Sequence, residues 1–172
     1  RRRQGVGSHG AMPQQSRDAL MIACALVGQI QTIVARNVAP LDAAVVSVTQ
    51  VHSGAAYNVV PETATLAGTI RYFRKEVYEL IEKRMHELCE GFAKAYGVTI
   101  DADVRNVFDV LTNDDDLSEA YLDAARDIVG DAMVHGNEAP AMGSEDFADM
   151  LQLVPGAYLK LGHSGTKSLH NP

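Results

Sequence analysis

The apolar residues of this chain change their spacing in a fixed order, and that order leaves few folds open. Leu20, Ala23, Val27, Ile30 and Val34 recur every three or four positions, the repeat of one helix face. Ser16 is the expected N-cap, Asp18 suits the first turn, and Asn37 and Pro40 end the helix near Arg36. Ala43 to Val51 alternates valine with Ser47 and Thr49, which predicts a strand. A loop follows through Ser53, Gly54, Tyr57, Asn58 and Pro61. From Thr63 to Phe73 the residues Ala64, Leu66, Gly68, Ile70 and Tyr72 share one face, and Thr65, Thr69 and Arg71 share the other. Val77, Leu80, Ile81, Arg84, Leu88 and Phe92 mark the inward side of a second helix, which Gly97 closes. Val98, Ile100, Ala102 and Val104 then alternate as a third strand.

The succession is α-β-β-α-β. One strand ahead of the first helix completes a ferredoxin-like two-layer sandwich. That strand belongs in residues 1–8, yet RRRQGVGS is a poor strand sequence. It reads either as an edge remnant or as the place where the chain has been cut.

After Arg105 the character changes. Asn113 and the run Asp114, Asp115, Asp116 favour a helix start. Leu117, Tyr121, Ala124, Ala125 and Ile128 form the apolar side of that helix, and Gly130 ends it. A short helix near Glu145 to Leu151 and a brief strand from Ala157 to Leu161 follow. These elements are too few to bury a core of their own, so they are expected to pack against something outside the chain. The fold class is α+β. Residues 1–106 form a ferredoxin-like two-layer domain and residues 107–172 an incomplete segment of a second domain.

Charge and composition exclude several functions. The net charge is −7 and the only basic cluster is Arg1 to Arg3, so nucleic-acid binding is not expected. No stretch approaches the roughly 20 apolar residues that span a bilayer. No apolar region follows the opening arginines, so they do not begin a secretory signal. Cys24 and Cys89 lie in helical patterns among apolar neighbours. They are expected as buried thiols in a reducing, cytoplasmic compartment.

Four places carry possible chemistry. His9 sits among small residues in Gly7 to Pro13, where an accessible imidazole can donate to a carbonyl oxygen gaining charge. Asn58, in the inter-strand loop, offers an amide to a carboxylate or oxyanion. Arg71, late in its strand, offers a fork to a carboxylate. Gly143, Ser144 and Glu145 stand at a helix start, and His170 near the end of the sequence could be one ligand of a zinc site. Taken one at a time, each also has a plain structural explanation, as a turn, a capping group or a solvated side chain.

Taken together, GSHGAMP (7–13), QTIVARNVAPLDAAVVSV (31–48), HSGAAYNVVPETATLAGTIR (52–71), MGSEDFA (142–148), VPGAYLKLG (154–162) and LHNP (169–172) resemble the zinc metallopeptidases that include aminoacylases, glutamate-type carboxypeptidases and hippurate hydrolase-like amidohydrolases. The amidohydrolase branch is the nearest. The resemblance implies a catalytic α/β domain with an inserted ferredoxin-like lid that makes a homodimer. Residues 1–106 would be that lid, and residues 107–172 the return into the catalytic domain. It implies two divalent metals, zinc or manganese, per active site. A metal-activated water then cleaves the amide of an N-acyl amino acid or peptide, with a glutamate as base. Most metal ligands and the base would lie in an N-terminal half outside this sequence. Of the ligands only His170 carries over. His9 matches the catalytic lid histidine, which often serves the partner's site. Asn58 and Arg71 match residues for the substrate's carboxylate or oxyanion, and Gly143, Ser144 and Glu145 match a loop beside substrate and metals. On this basis the chain alone is expected to be inactive and to retain no metal. The alternative is a non-catalytic dimerisation module, for which the GSEDF and LHNP stretches would have no use.

Overall fold

The computed structural model describes residues 2–162. Helix α1 (Ala19–Asn37) begins where the Asp18 carboxylate accepts the Met21 N–H at 3.0 Å. Asp18, not Ser16, is therefore its N-cap. The Ser16 hydroxyl instead donates to the Pro13 carbonyl at 2.8 Å and closes the 3-10 turn Pro13–Gln15. The buried face of α1 is Ala19, Ile22, Ala23, Leu26, Ile30 and Ile33. It is rotated from the expected stripe, leaving Leu20 exposed and Val27 half-buried. A helix apolar on nearly every side gives periodicity little contrast from which to choose a face. Cys24 lies on the exposed side, contrary to expectation, while Cys89 is buried as expected.

Strand β1 is Arg2–Gln4 and β2 is Ser8–His9; β3 (Ala44–Ser53) follows α1, then β4 (Val59–Val60) and β5 (Thr63–Tyr72). Helix α2 (Lys75–Tyr96) ends at Gly97, which takes a left-handed conformation (φ 61°) and donates its N–H to the Ala93 carbonyl. Strand β6 is Thr99–Ile100. One sheet has the order β3-β5-β1-β6, antiparallel throughout, which is the ferredoxin-like arrangement. The opening strand is thus an inner one, not an edge remnant. It pairs Gln4 with Thr63 on one side and with Thr99 on the other. Strand β6 has a ladder at two residues, not over the expected 98–104. The chain beyond stays alternately covered and exposed, with Ala102 packed on the core.

Both helices cover one face of this sheet. Leu26, Ile30 and Ile33 of α1 meet Val77, Ile81 and Cys89 of α2 and Val46 of β3 in one buried cluster. By length and composition, the 19 residues of α1 could cross a bilayer, against the expectation from sequence. Here its buried apolar residues serve as the inner layer of the sandwich.

The chain forms two compact units, dividing between Val110 and Leu111, four residues past the expected boundary. In the second unit, Asp114 caps α3 (Asp115–Val129) by accepting the Leu117 N–H at 3.0 Å. Helix α3 buries none of its residues, and Tyr121 and Ile128 stay exposed. A short helix, α4, spans Phe147–Leu151. Residues 157–161 make no sheet ladder, contrary to the expected strand. The Asn113 side chain grips Tyr158 instead, accepting its N–H at 2.8 Å and donating to its carbonyl at 3.1 Å.

Leu26→Ala should destabilise the first unit by about 2–5 kcal/mol in denaturant unfolding, because Leu26 is fully buried. Asp18→Ala should cost about 1 kcal/mol. Ser16→Ala, which removes no helix cap, should cost less.

Candidate functional site

The two sequence candidates nearest each other are His9 and Asn58. Strands β2 and β4 form a small antiparallel pair, with Ser8 opposite Val60 and His9 opposite Val59. Each runs beside a tight turn: the Met12 N–H donates to the His9 carbonyl at 2.8 Å, and the Val59 N–H to the Ala56 carbonyl at 3.3 Å. The turns are joined by the Gly10 N–H, which donates to the Asn58 carbonyl at 2.7 Å. A side chain at position 10 would bring its Cβ to 3.1 Å from that same oxygen. Glycine is therefore what lets the His9 loop lie against the Asn58 loop.

The imidazole is oriented by main chain. The Ala11 N–H donates to His9 Nδ1 at 3.1 Å. A nitrogen that accepts carries no proton, so the neutral ring bears its hydrogen on Nε2. Below it, the Ser8 hydroxyl braces the loop on the Met12 carbonyl at 3.2 Å. His9 and Asn58 are both exposed, and Tyr57, next to Asn58, is fully exposed. The arrangement is an exposed imidazole N–H donor on a loop that is hydrogen-bonded, main chain to main chain, to the loop carrying the exposed Asn58 amide. This is chemistry suited to an oxygen that gains negative charge.

Arg71 is not part of this group. It is half-buried, opposite Val45 near the far end of β5. Eight residues of extended chain separate it from Thr63, about 26 Å. Gly143, Ser144 and Glu145 belong to the second unit and are exposed. There the Tyr158 hydroxyl donates to Glu145 Oε1 at 3.1 Å, and the Tyr158 ring lies 5.9 Å from that of Phe147. Sequence reasoning missed Tyr158 as the partner of Glu145 and Asn113 as the clamp that holds it. Asn113 stands directly before an acidic helix start, so its amide read as part of a cap. His170 lies outside the described residues.

Residues 3–97 match the M20 peptidase dimerisation domain. The chain belongs to the M20 peptidase family. It is 36% identical over 170 residues to the N-acetyldiaminopimelate deacetylase of Streptococcus sanguinis strain SK36, covering 98% of this chain and 45% of that enzyme. It is 32% identical to the hippurate hydrolase of Campylobacter jejuni, covering 97% and 44%. A dinuclear metal-binding M20 peptidase from Bacillus subtilis superposes with a TM-score of 0.69 at 28% identity, covering 99% of this chain and 43% of that one. The chain thus spans about half the length of the M20 relatives it matches, as expected of a C-terminal part.

This M20 family is one of metal-using hydrolases, as the resemblance implied. Among the described residues no three His, Cys, Asp or Glu side chains gather to hold a metal. The described part of this M20 chain does not by itself fit the group.

In the second unit, the hydrogen bond to Glu145, and then that group's charge, hold the Tyr158 proton and push its pKa above the ordinary phenol value. The neutral phenol is the bonded form. The bond is therefore complete below about pH 10 and is lost as pH rises through the raised value. Glu145→Gln should return Tyr158 towards pH 10, read from the Cζ shift of labelled tyrosine.

Proposed function

We propose that this chain is the lid and closing segment of a metal-dependent amidohydrolase that removes the acyl group from N-acyl amino acids. The observation that carries the reading is the outward Nε2–H of His9. Main-chain bonds orient its ring and tie its loop to the loop of Asn58, inside a domain that resembles part of deacetylases and a hippurate hydrolase. His9 would donate to the amide oxygen as it gains charge, and Asn58 would supply a second donor. The two metals would polarise that amide and activate water. They would be held by the half of the polypeptide outside this sequence, with His170 as this chain's ligand. Gly143, Ser144 and Glu145 would line the substrate beside them. The uncovered apolar side of α3 suits a segment that docks on that half.

The separation of Arg71 from His9 adds a constraint. Arg71 lies about 26 Å along β5 from Thr63, the end of the strand that follows the Asn58 loop, a length beyond that of an N-acetyl or N-benzoyl amino acid. A homodimer resolves this. Arg71 would take the carboxylate at one site while His9 reaches the site of the partner subunit. Of the two edges of the main sheet, β3 offers ten residues and β6 only two, so pairing would use β3. Strand edges of this length are templates for a second strand.

An upstream-extended polypeptide should keep about two divalent metals per chain on dialysis and cleave N-acyl amino acids, and this chain alone should do neither. In the extended enzyme, His9→Ala should lower kcat/KM about 100- to 1,000-fold with its metal content unchanged, while His170→Ala should lose metal. Cleavage by the isolated chain, or full activity of His9→Ala, would sink the assignment. Light scattering should give twice the 18.5 kDa chain mass. Val45→Lys with Val51→Lys, which charges exposed positions on β3, should give monomer.

A further inference from the structure

Within the first unit an open groove of about 330 Å³ runs between the start of α1 and the end of α2. Pro13, Ser16, Arg17, Met21, Ile22 and Tyr96 line it. One wall is apolar. Met21 is exposed on α1 and Tyr96 on α2. The Tyr96 ring lies 5.6 Å from that of Phe92, which packs on the core, so the aromatic wall has a fixed backing. Arg17 supplies the charge. Its main chain is held on both sides: its N–H donates to the Val6 carbonyl at 2.9 Å, and its carbonyl accepts the Val6 N–H at 3.2 Å. Its guanidinium lies against Gly97, with Cζ and Nε 3.5 Å from where a Cβ would stand. Among the described residues nothing accepts a hydrogen bond from that guanidinium or forms an ion pair with it. Asp18 also borders the groove, but its carboxylate is used in capping α1. Recognition of an anion therefore falls to Arg17 and not to the helix end.

We propose that this groove binds a small aromatic carboxylate, its carboxylate on the Arg17 fork and its ring on Tyr96 and Met21. The volume is near the lower end for small-molecule sites, about 300 Å³. An inorganic anion would leave the apolar wall uncovered. A phosphate dianion would bring a second negative charge towards Asp18, whereas one guanidinium matches one carboxylate. The groove is distinct from the surface that carries Arg71. Arg71 alternates with Ile70 and Tyr72, which pack towards the helices, so it lies on the opposite face of the sheet. Pro13 and Ser16 also close the 3-10 turn that follows the His9 loop, and the Met12 N–H ties that turn to the His9 carbonyl. A ligand in the groove would press on this turn. In the enzyme proposed above, deacylation releases the acyl group as a carboxylate, so an aromatic acyl product would act back on the imidazole. That consequence rests on the proposed function; the binding does not.

Sodium benzoate added to the 15N-labelled chain should shift the amides of residues 16–22 and 96–97 saturably. Benzamide, the same ring without the charge, should bind about tenfold more weakly or worse. Arg17→Met should weaken benzoate by about tenfold while the amide spectrum of β3 and β5 stays unchanged. Met21→Glu, which keeps Arg17 but brings a carboxylate into the groove, should weaken it as much. Arg71→Met should leave benzoate binding at the groove as it was. Equal binding of benzamide, undiminished binding by Arg17→Met, or benzoate shifts centred on β3 and β5 with none at 16–22 would overturn the assignment. The readout is binding to this chain, so loss of the hydrolase assignment in the extended enzyme would leave it standing.

Discussion

Strand β1 contributes only three residues to the main sheet, but it is the one element with a hydrogen-bonded neighbour on each side among those that join β5 to β6. A sheet built from β3 and β5 alone would be a two-stranded ribbon, marginal in water by itself. Inserting β1 gives β6 a partner, seats Ile100 and Ala102 against the helices, and completes the layer on which α1 and α2 close. The same strand feeds directly into Gly5 and the loop that carries His9. The Gly5 N–H donates to the Glu62 carbonyl at 2.6 Å, and Val6 bridges Arg17. The position of the imidazole is therefore an outcome of sheet assembly.

The parts of the fold legible in the sequence were those whose side chains face two different environments. The β3 and β5 patterns alternate, and their boundaries fell within two residues of the observed ones. Gly97 was legible because only a left-handed residue closes α2 there. Residues set by pairing and not by burial were not legible. Arg2–Gln4 has no apolar alternation, and its strand character comes from the two ladders that surround it. Residues 157–161 have a strand's composition but lack a neighbouring strand, and a side-chain amide takes the ladder's place. Ser16 and Asp18 are both good caps. What decided between them was the 3-10 turn at Pro13, which uses the serine hydroxyl.

For the site, the sequence carried residue types but little of their arrangement. His9 and Asn58 are 49 positions apart, and nothing local says that β2 and β4 pair. Their adjacency became visible only once Gly10 was seen against the Asn58 carbonyl. Arg71 looks close to Asn58 in sequence but is carried away by the rigid length of β5. That separation makes a second copy of the chain part of the functional reading.

The donor group at His9 is fastened almost wholly by peptide amides: Ala11 to the ring, Gly10 to the neighbouring turn, Met12 to the His9 carbonyl. Glycine at position 10 and the Ser8 hydroxyl on the Met12 carbonyl are side-chain requirements of that scaffold. The flanking positions Ala11, Met12, Ala56 and Tyr57 point into solvent and can drift through mutation without displacing the imidazole. A loop built this way lets a lineage change the groups surrounding its reactive centre while leaving the centre itself untouched.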